Sequence, residues 1–89
     1  AGMVRIHSLR RGRAEAIEAI ARGNRKDSRV VGRKIEEIAL PKGATINIIV
    51  RGNEVLEAHH NTIVQAEDHL ILFVTDRRQI QQVERLFRT

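Results

Sequence analysis

The chain has 89 residues, no cysteine, sixteen Lys plus Arg against eleven Asp plus Glu, and only two aromatic residues, Phe73 and Phe87. That length suits one small domain, and the missing cysteines exclude disulfide frameworks, thiolate zinc sites and thiol nucleophiles while fitting a reducing compartment, with cytoplasm as the default. No apolar run approaches the roughly 20 residues that a membrane-spanning helix needs.

Ile and Val dominate the apolar residues, and such β-branched side chains fit pleated surfaces, so an α+β fold is expected. Val4 to Leu9 alternates apolar and polar as a half-buried strand does, and Arg10-Arg11-Gly12-Arg13 reads as a turn. Ala14 to Ala21 is Ala- and Glu-rich, with Ala14, Ile17, Ile20 and Ala21 at helical spacing, so local rules predict a helix there. Arg22 to Ser28 is a polar loop in which nothing is expected to pack. Arg33 to Leu40 places Ile35, Ile38 and Ala39 at helical spacing before Pro41 halts the run. From Ala44 the period changes to two, and Arg51-Gly52-Asn53-Glu54 turns the chain into a return strand at Val55 to Ala58. Leu70 to Val74 is a continuous apolar run of the kind buried on both faces, expected at the centre of the sheet. Asp76 is placed to cap a closing helix, with Gln79 three residues later, and Ile80, Val83, Leu86 and Phe87 form its apolar stripe.

The chemistry is sparse. The six glycines make neither a dinucleotide fingerprint nor a P-loop, and Ser8, His7 and Glu15 carry no catalytic signature, so no catalytic residue and no enzyme activity is assigned. His59-His60, with His69 downstream, invites a metal or proton-sensing reading. Adjacent residues of an extended segment point apart, however, so no metal ligand is assigned. Glu36-Glu37 and Glu67-Asp68 read as exposed carboxylates. Residues 1–34 hold ten basic and three acidic side chains. That bias suits an anionic ligand, an acidic partner or nucleic acid, but with so few aromatics to stack bases, a nucleic-acid module is disfavoured. The Arg10 to Arg13 turn and the Arg22 to Arg29 loop could receive phosphates. Gly32-Arg33-Lys34 opens the predicted short helix, whose first N–H groups and two cations suit an anion.

The apolar-Gly-basic step at Val31-Gly32-Arg33, the stop at Leu40-Pro41, the strand into Arg51-Gly52 and the Glu67-Asp68 corner before an apolar strand together resemble the TrkA C-terminal (RCK-C) domain family of potassium-transport regulators. With the lead-in HSLRRGRAEAIEAIARG the resemblance covers nearly the whole chain. It implies a strand, not a helix, for Ala14 to Ala21, and hence a small mixed sheet in the order β-β-α-β-β-β-α within one regulatory domain over 1–89, residues 1–13 forming a lead-in strand and turn. It further implies a homodimer or higher oligomer, a membrane potassium-uptake subunit reached through a longer protein, and a position peripheral to the inner face of the plasma membrane. Rossmann-type parts of such regulators bind NAD(H) or adenine nucleotides. No such part is in this sequence, so neither cofactor is expected here. An anionic nucleotide remains a candidate ligand, and some relatives bind cyclic di-AMP between two such domains. The candidate ligand or interface positions are Val31, Gly32, Arg33 and Lys34, then Ile49 and Arg51, and His59 and His60.

Overall fold

The computed structural model describes the backbone of residues 4–9 and 14 and the whole of residues 15–88. Five strands form one sheet: β1 (Val4–Leu9), β2 (Ala14–Ile20), β3 (Ala44–Arg51), β4 (Glu54–Glu57) and β5 (His69–Val74). Their spatial order is β1-β2-β5-β3-β4, and every pair is antiparallel. The α+β class stands. The mixed sheet expected from the sequence is corrected to an antiparallel one: β1–β2 and β3–β4 are consecutive antiparallel pairs, and β5 lies between β2 and β3, antiparallel to both.

β2 is the strand implied by the resemblance, against its local propensity. In its register Glu15, Ile17 and Ala19 stand opposite Val74, Leu72 and Leu70 of β5, and all three are buried. Its residues therefore alternate between core and outer face with period two, and pairing on both edges outweighs the few tenths of a kcal/mol per residue by which Ala and Glu favour helix. The Arg10 to Arg13 turn lies outside the described residues.

The short helix expected over Arg33 to Leu40 is a single 3-10 turn, Ile35–Glu37, after which Ile38 turns extended with φ −81° and ψ 128°. Pro41 biases Leu40 away from helical backbone, and a segment this short cannot sustain a helix without packing along its length. The extended backbone buries Ile38 in the core instead. At the β3–β4 hairpin the sequence reading holds. Gly52 has φ +59°, at the first of two central residues, where a type II′ turn requires glycine.

A second 3-10 turn, Arg77–Gln79, leads into α1 (Ile80–Leu86). Ile80, Val83, Leu86 and Phe87 are buried against the sheet's core face, made by Ile17, Ile46, Ile49, Leu70, Leu72 and Val74. Asp76 caps this end: its Oδ1 accepts the Arg78 N–H at 2.9 Å. The expected capping box does not form: the Asp76 side chain takes the Arg78 N–H, the Gln79 N–H goes to the Asp76 carbonyl, and the Gln79 Oε1 is buried without a hydrogen-bond partner among the described residues.

The central position of β5 is as expected, but its burial on both faces is not. Leu70, Leu72 and Val74 are sealed in the core, whereas Ile71 is half-buried and Phe73 is 39% exposed. By register Ile48, Val50 and Val55 share the outer face with these two, and Val55 is 70% exposed. Among the described residues, α1 packs on the core face and no helical turn covers the outer one.

Candidate functional site

The segment before β3 is built by three local devices. The Asn24 Oδ1 accepts the N–H groups of Lys26 and Asp27 at 2.8 and 3.2 Å, and the Asp27 Oδ1 takes the Asn24 N–H at 2.7 Å, closing a turn. Ser28 then starts a second turn, its Oγ accepting from Val30 and Val31 at 3.1 and 3.0 Å. Ser28 is 4% exposed, which corrects the expectation that nothing in this loop packs: its hydroxyl satisfies two amides that the entry of Val30 into the core would otherwise leave bare. Third, Gly32 has φ +79°, a left-handed backbone that favours glycine, and a Cβ there would press tightly on the Arg25 Cβ at 3.2 Å. The Arg25 guanidinium donates to the Gly32 carbonyl.

The Gly32 step is laced to the 59–64 connection. Gly32 N–H reaches the Val64 carbonyl at 2.8 Å, Ile35 N–H that of Thr62 at 2.9 Å and Glu36 N–H that of His60 at 3.0 Å. Glu37 carboxylate accepts the Lys34 N–H at 2.8 Å. The amides expected to await an anion at this turn are therefore already engaged, and a single 3-10 turn has little dipole to offer. Any anion must be held here by side chains.

Below this lacing sits a clamp that pairs one sequence candidate with a residue misread. The Arg51 guanidinium meets Asp68 in a fork, Nε to Oδ1 at 3.0 Å and Nη2 to Oδ2 at 2.9 Å, and Nη2 also donates to the Ile63 carbonyl at 3.0 Å. Asp68 is 1% exposed and takes the Gln65 N–H at 2.8 Å. The hydrogen bond to Asp68 raises the Arg51 pKa above its ordinary value, with burial opposing it. Reading Glu67-Asp68 as two exposed carboxylates is thus half wrong: Glu67 is exposed, with φ +72°, and that left-handed corner turns Asp68 inward. Arg51 is committed to holding the 62–68 segment against the end of β3.

The other candidates separate. Ile49 is fully buried opposite Leu70, and Val31 is buried too, so both side chains pack in the core. His59 and His60 are exposed on the loop after β4; the His59 Nε2 lies 3.7 Å from a Glu57 oxygen. The nearby His69 instead faces Glu18 across the β2–β5 pair, Nδ1 to Oε2 at 3.1 Å. Among the described residues no group of three or more His, Asp or Glu could hold a metal ion.

Arg33 lines a cleft of about 580 Å³ between the 26–29 turns and the far end of α1. Lys26, Arg29, Arg85 and Arg88 line it as well, with Asp27 and Ser28. Arg29 Nη1 donates to the Arg85 carbonyl at 2.8 Å, fastening the turn to the helix. The sequence reading missed Arg85 and Arg88. Their signal was a basic helix end opposite the apolar stripe, but nothing local says which loop folds beside it.

Residues 25–88 match the TrkA-C domain family. The chain is similar to a Trk system potassium uptake protein TrkA of Halomonas elongata, 60% identical over 85 residues, which are 96% of this chain and 19% of that protein. It is 51% identical over 87 residues to the Trk system potassium uptake protein TrkA of Vibrio alginolyticus, again 19% of that protein and 98% of this chain. A Trk system potassium uptake protein TrkA homolog of Archaeoglobus fulgidus is 38% identical over 63 residues, 71% of this chain and 14% of that homolog. The chain thus spans less than a fifth of the length of these relatives.

Proposed function

Because this chain belongs to the TrkA-C domain family, we propose that it is the regulatory and assembly domain of a longer protein that controls potassium uptake at the inner face of the plasma membrane. The observation that carries this reading is the 60% identity, over 96% of the chain, to a relative whose name states potassium uptake. Its role is mechanical and non-catalytic. NAD(H) or an adenine nucleotide belongs to a different part of the longer protein, and the membrane subunit is reached through that protein.

Two copies associate through the outer face of the sheet. A central strand as apolar as Leu70 to Val74 normally has both faces covered, and here the described residues cover one, leaving Phe73 and Val55 open at 39% and 70% exposure. A second copy is the simplest cover, because an isologous contact needs no other partner. A ligand that favours one angle between the copies would pass that choice to the membrane subunit, and it acts only through its differential affinity for the two arrangements.

The test is potassium uptake by cells that rely on the longer protein. Loss of uptake at low external potassium on deletion of this segment, with the truncated protein still folded and abundant, is expected; undiminished and still regulated uptake would refute the role. A thermal-shift screen with ATP, ADP, NADH, cyclic di-AMP and divalent ions then separates sensing from assembly alone, since a native-state ligand raises the unfolding midpoint by mass action.

A further inference from the structure

The cations of this chain are unevenly neutralised. Arg22, Arg51, Arg77 and Arg78 each have a carboxylate oxygen within 4 Å, at 3.9, 2.9, 3.3 and 2.8 Å. The five cations lining the cleft, Lys26, Arg29, Arg33, Arg85 and Arg88, pair with none among the described residues. The one acid in the cleft, Asp27, spends its Oδ1 on the Asn24 N–H. Like charges gathered in one concavity repel, and a bound anion relieves that repulsion.

We infer that this cleft binds a linear oligophosphate, two or more condensed phosphates, free or carried by a nucleoside. A volume near 580 Å³ falls in the range of small-molecule sites and exceeds what one phosphate fills. Four of the five cations are arginines, whose planar forks match phosphate oxygens two at a time. Ser28, nine-tenths buried in the wall, accepts two amide hydrogens at its Oγ and keeps its own O–H free to donate, since no described residue accepts it. The frame is set in advance: the Asn24 and Ser28 turns hold the loop, and the Arg29 bond to the Arg85 carbonyl holds the loop to α1. No aromatic ring lines the cleft, so a base would gain no stacking and the phosphate chain carries the recognition. This names a ligand class for the sensing role proposed above and rests on that reading for its purpose alone; binding is measured apart from assembly.

The test is calorimetry on this chain with sodium tripolyphosphate, ATP and adenosine at low and at physiological ionic strength. Saturable single-site binding of tripolyphosphate and ATP with similar affinity is expected, weakening with salt, and none of adenosine. The exposed double variant Lys26→Gln, Arg88→Gln should lose about tenfold or more in affinity, while Arg78→Gln, outside the cleft, should lose nothing. Thermal melts show whether each variant folds, and Arg33→Gln replaces the double variant if that does not. No heat at low salt, equal loss in Arg78→Gln, or tighter binding of duplex DNA at the same residues would each overturn the site. Sedimentation of the same samples keeps the outcomes separate: binding by a chain that stays monomeric refutes the dimer and leaves the cleft.

Discussion

Asp68 is a charged side chain held in the interior. It is buried with one exposed-side partner, and the Arg51 fork and the Gln65 amide together satisfy it. Breaking a buried pair from one side leaves an uncompensated charge, so Arg51→Ala should lower the unfolding free energy by about 3 kcal/mol. Urea unfolding reads this as a lower midpoint at unchanged slope. An unchanged midpoint would mean that the fork contributes nothing. The raised Arg51 pKa adds no pH dependence near neutrality, because its stabilising contribution is complete below the ordinary guanidinium value and fades only above it. Arg51 was legible in the sequence as a marked position, and its role was not. Its partner lies seventeen residues on, behind a left-handed corner at Glu67 that no local rule anticipates at a non-glycine residue.

At the scale of elements, α1 was readable and β2 was not. The stripe of Ile80, Val83 and Leu86 needs only helical period to be seen, and its burial follows once any sheet is present. The start of that helix also carries a pH signature. The Arg78 guanidinium binds both Asp76 oxygens at 2.8 to 3.1 Å, and this bond, then the Arg78 N–H, lowers the Asp76 pKa below its ordinary 3.8. The stabilisation is therefore present above that ordinary value and is lost as pH falls through the lowered one. Asp76→Asn should reduce the thermal midpoint at neutral pH, and the gap from the parent should close on acidification below 3.8. A gap that persists in acid would assign the effect to packing. β2 resisted reading because its Ala-Glu composition and the three-residue spacing of Ile17 and Ile20 fit the helical period, whereas in a strand those two fall on opposite faces. Only the partners on its two edges, β1 and β5, make it a strand.

In the described residues the sheet is roofed by α1 on one side. If a second copy covers the other, sedimentation should find a dimer at micromolar to millimolar concentration, and Phe73→Glu, at a half-open position, should return it to monomer with the fold intact. A parent chain that is monomeric throughout would remove the proposed interface. The two proposed surfaces are physically distinct. Phe73 stands on the outer sheet face, whereas the cleft lies beside α1, which packs on the core face, so their substitutions should act independently in both measurements.

Residue order alone carried the α+β class, the β3–β4 hairpin, the central place of β5 and the closing helix, because each depends on periods and turn residues within a dozen positions of one another. It also carried the family resemblance, since that resides in short spaced steps such as Val31-Gly32-Arg33 and Arg51-Gly52. Three-dimensional contact was needed for the strand at β2, the shrinking of the 33–40 helix to one turn, the inward Asp68 and the meeting of Lys26 and Arg29 with Arg85 and Arg88. Each of these is set by partners far along the chain, and interactions of that range leave no periodic trace in either participant.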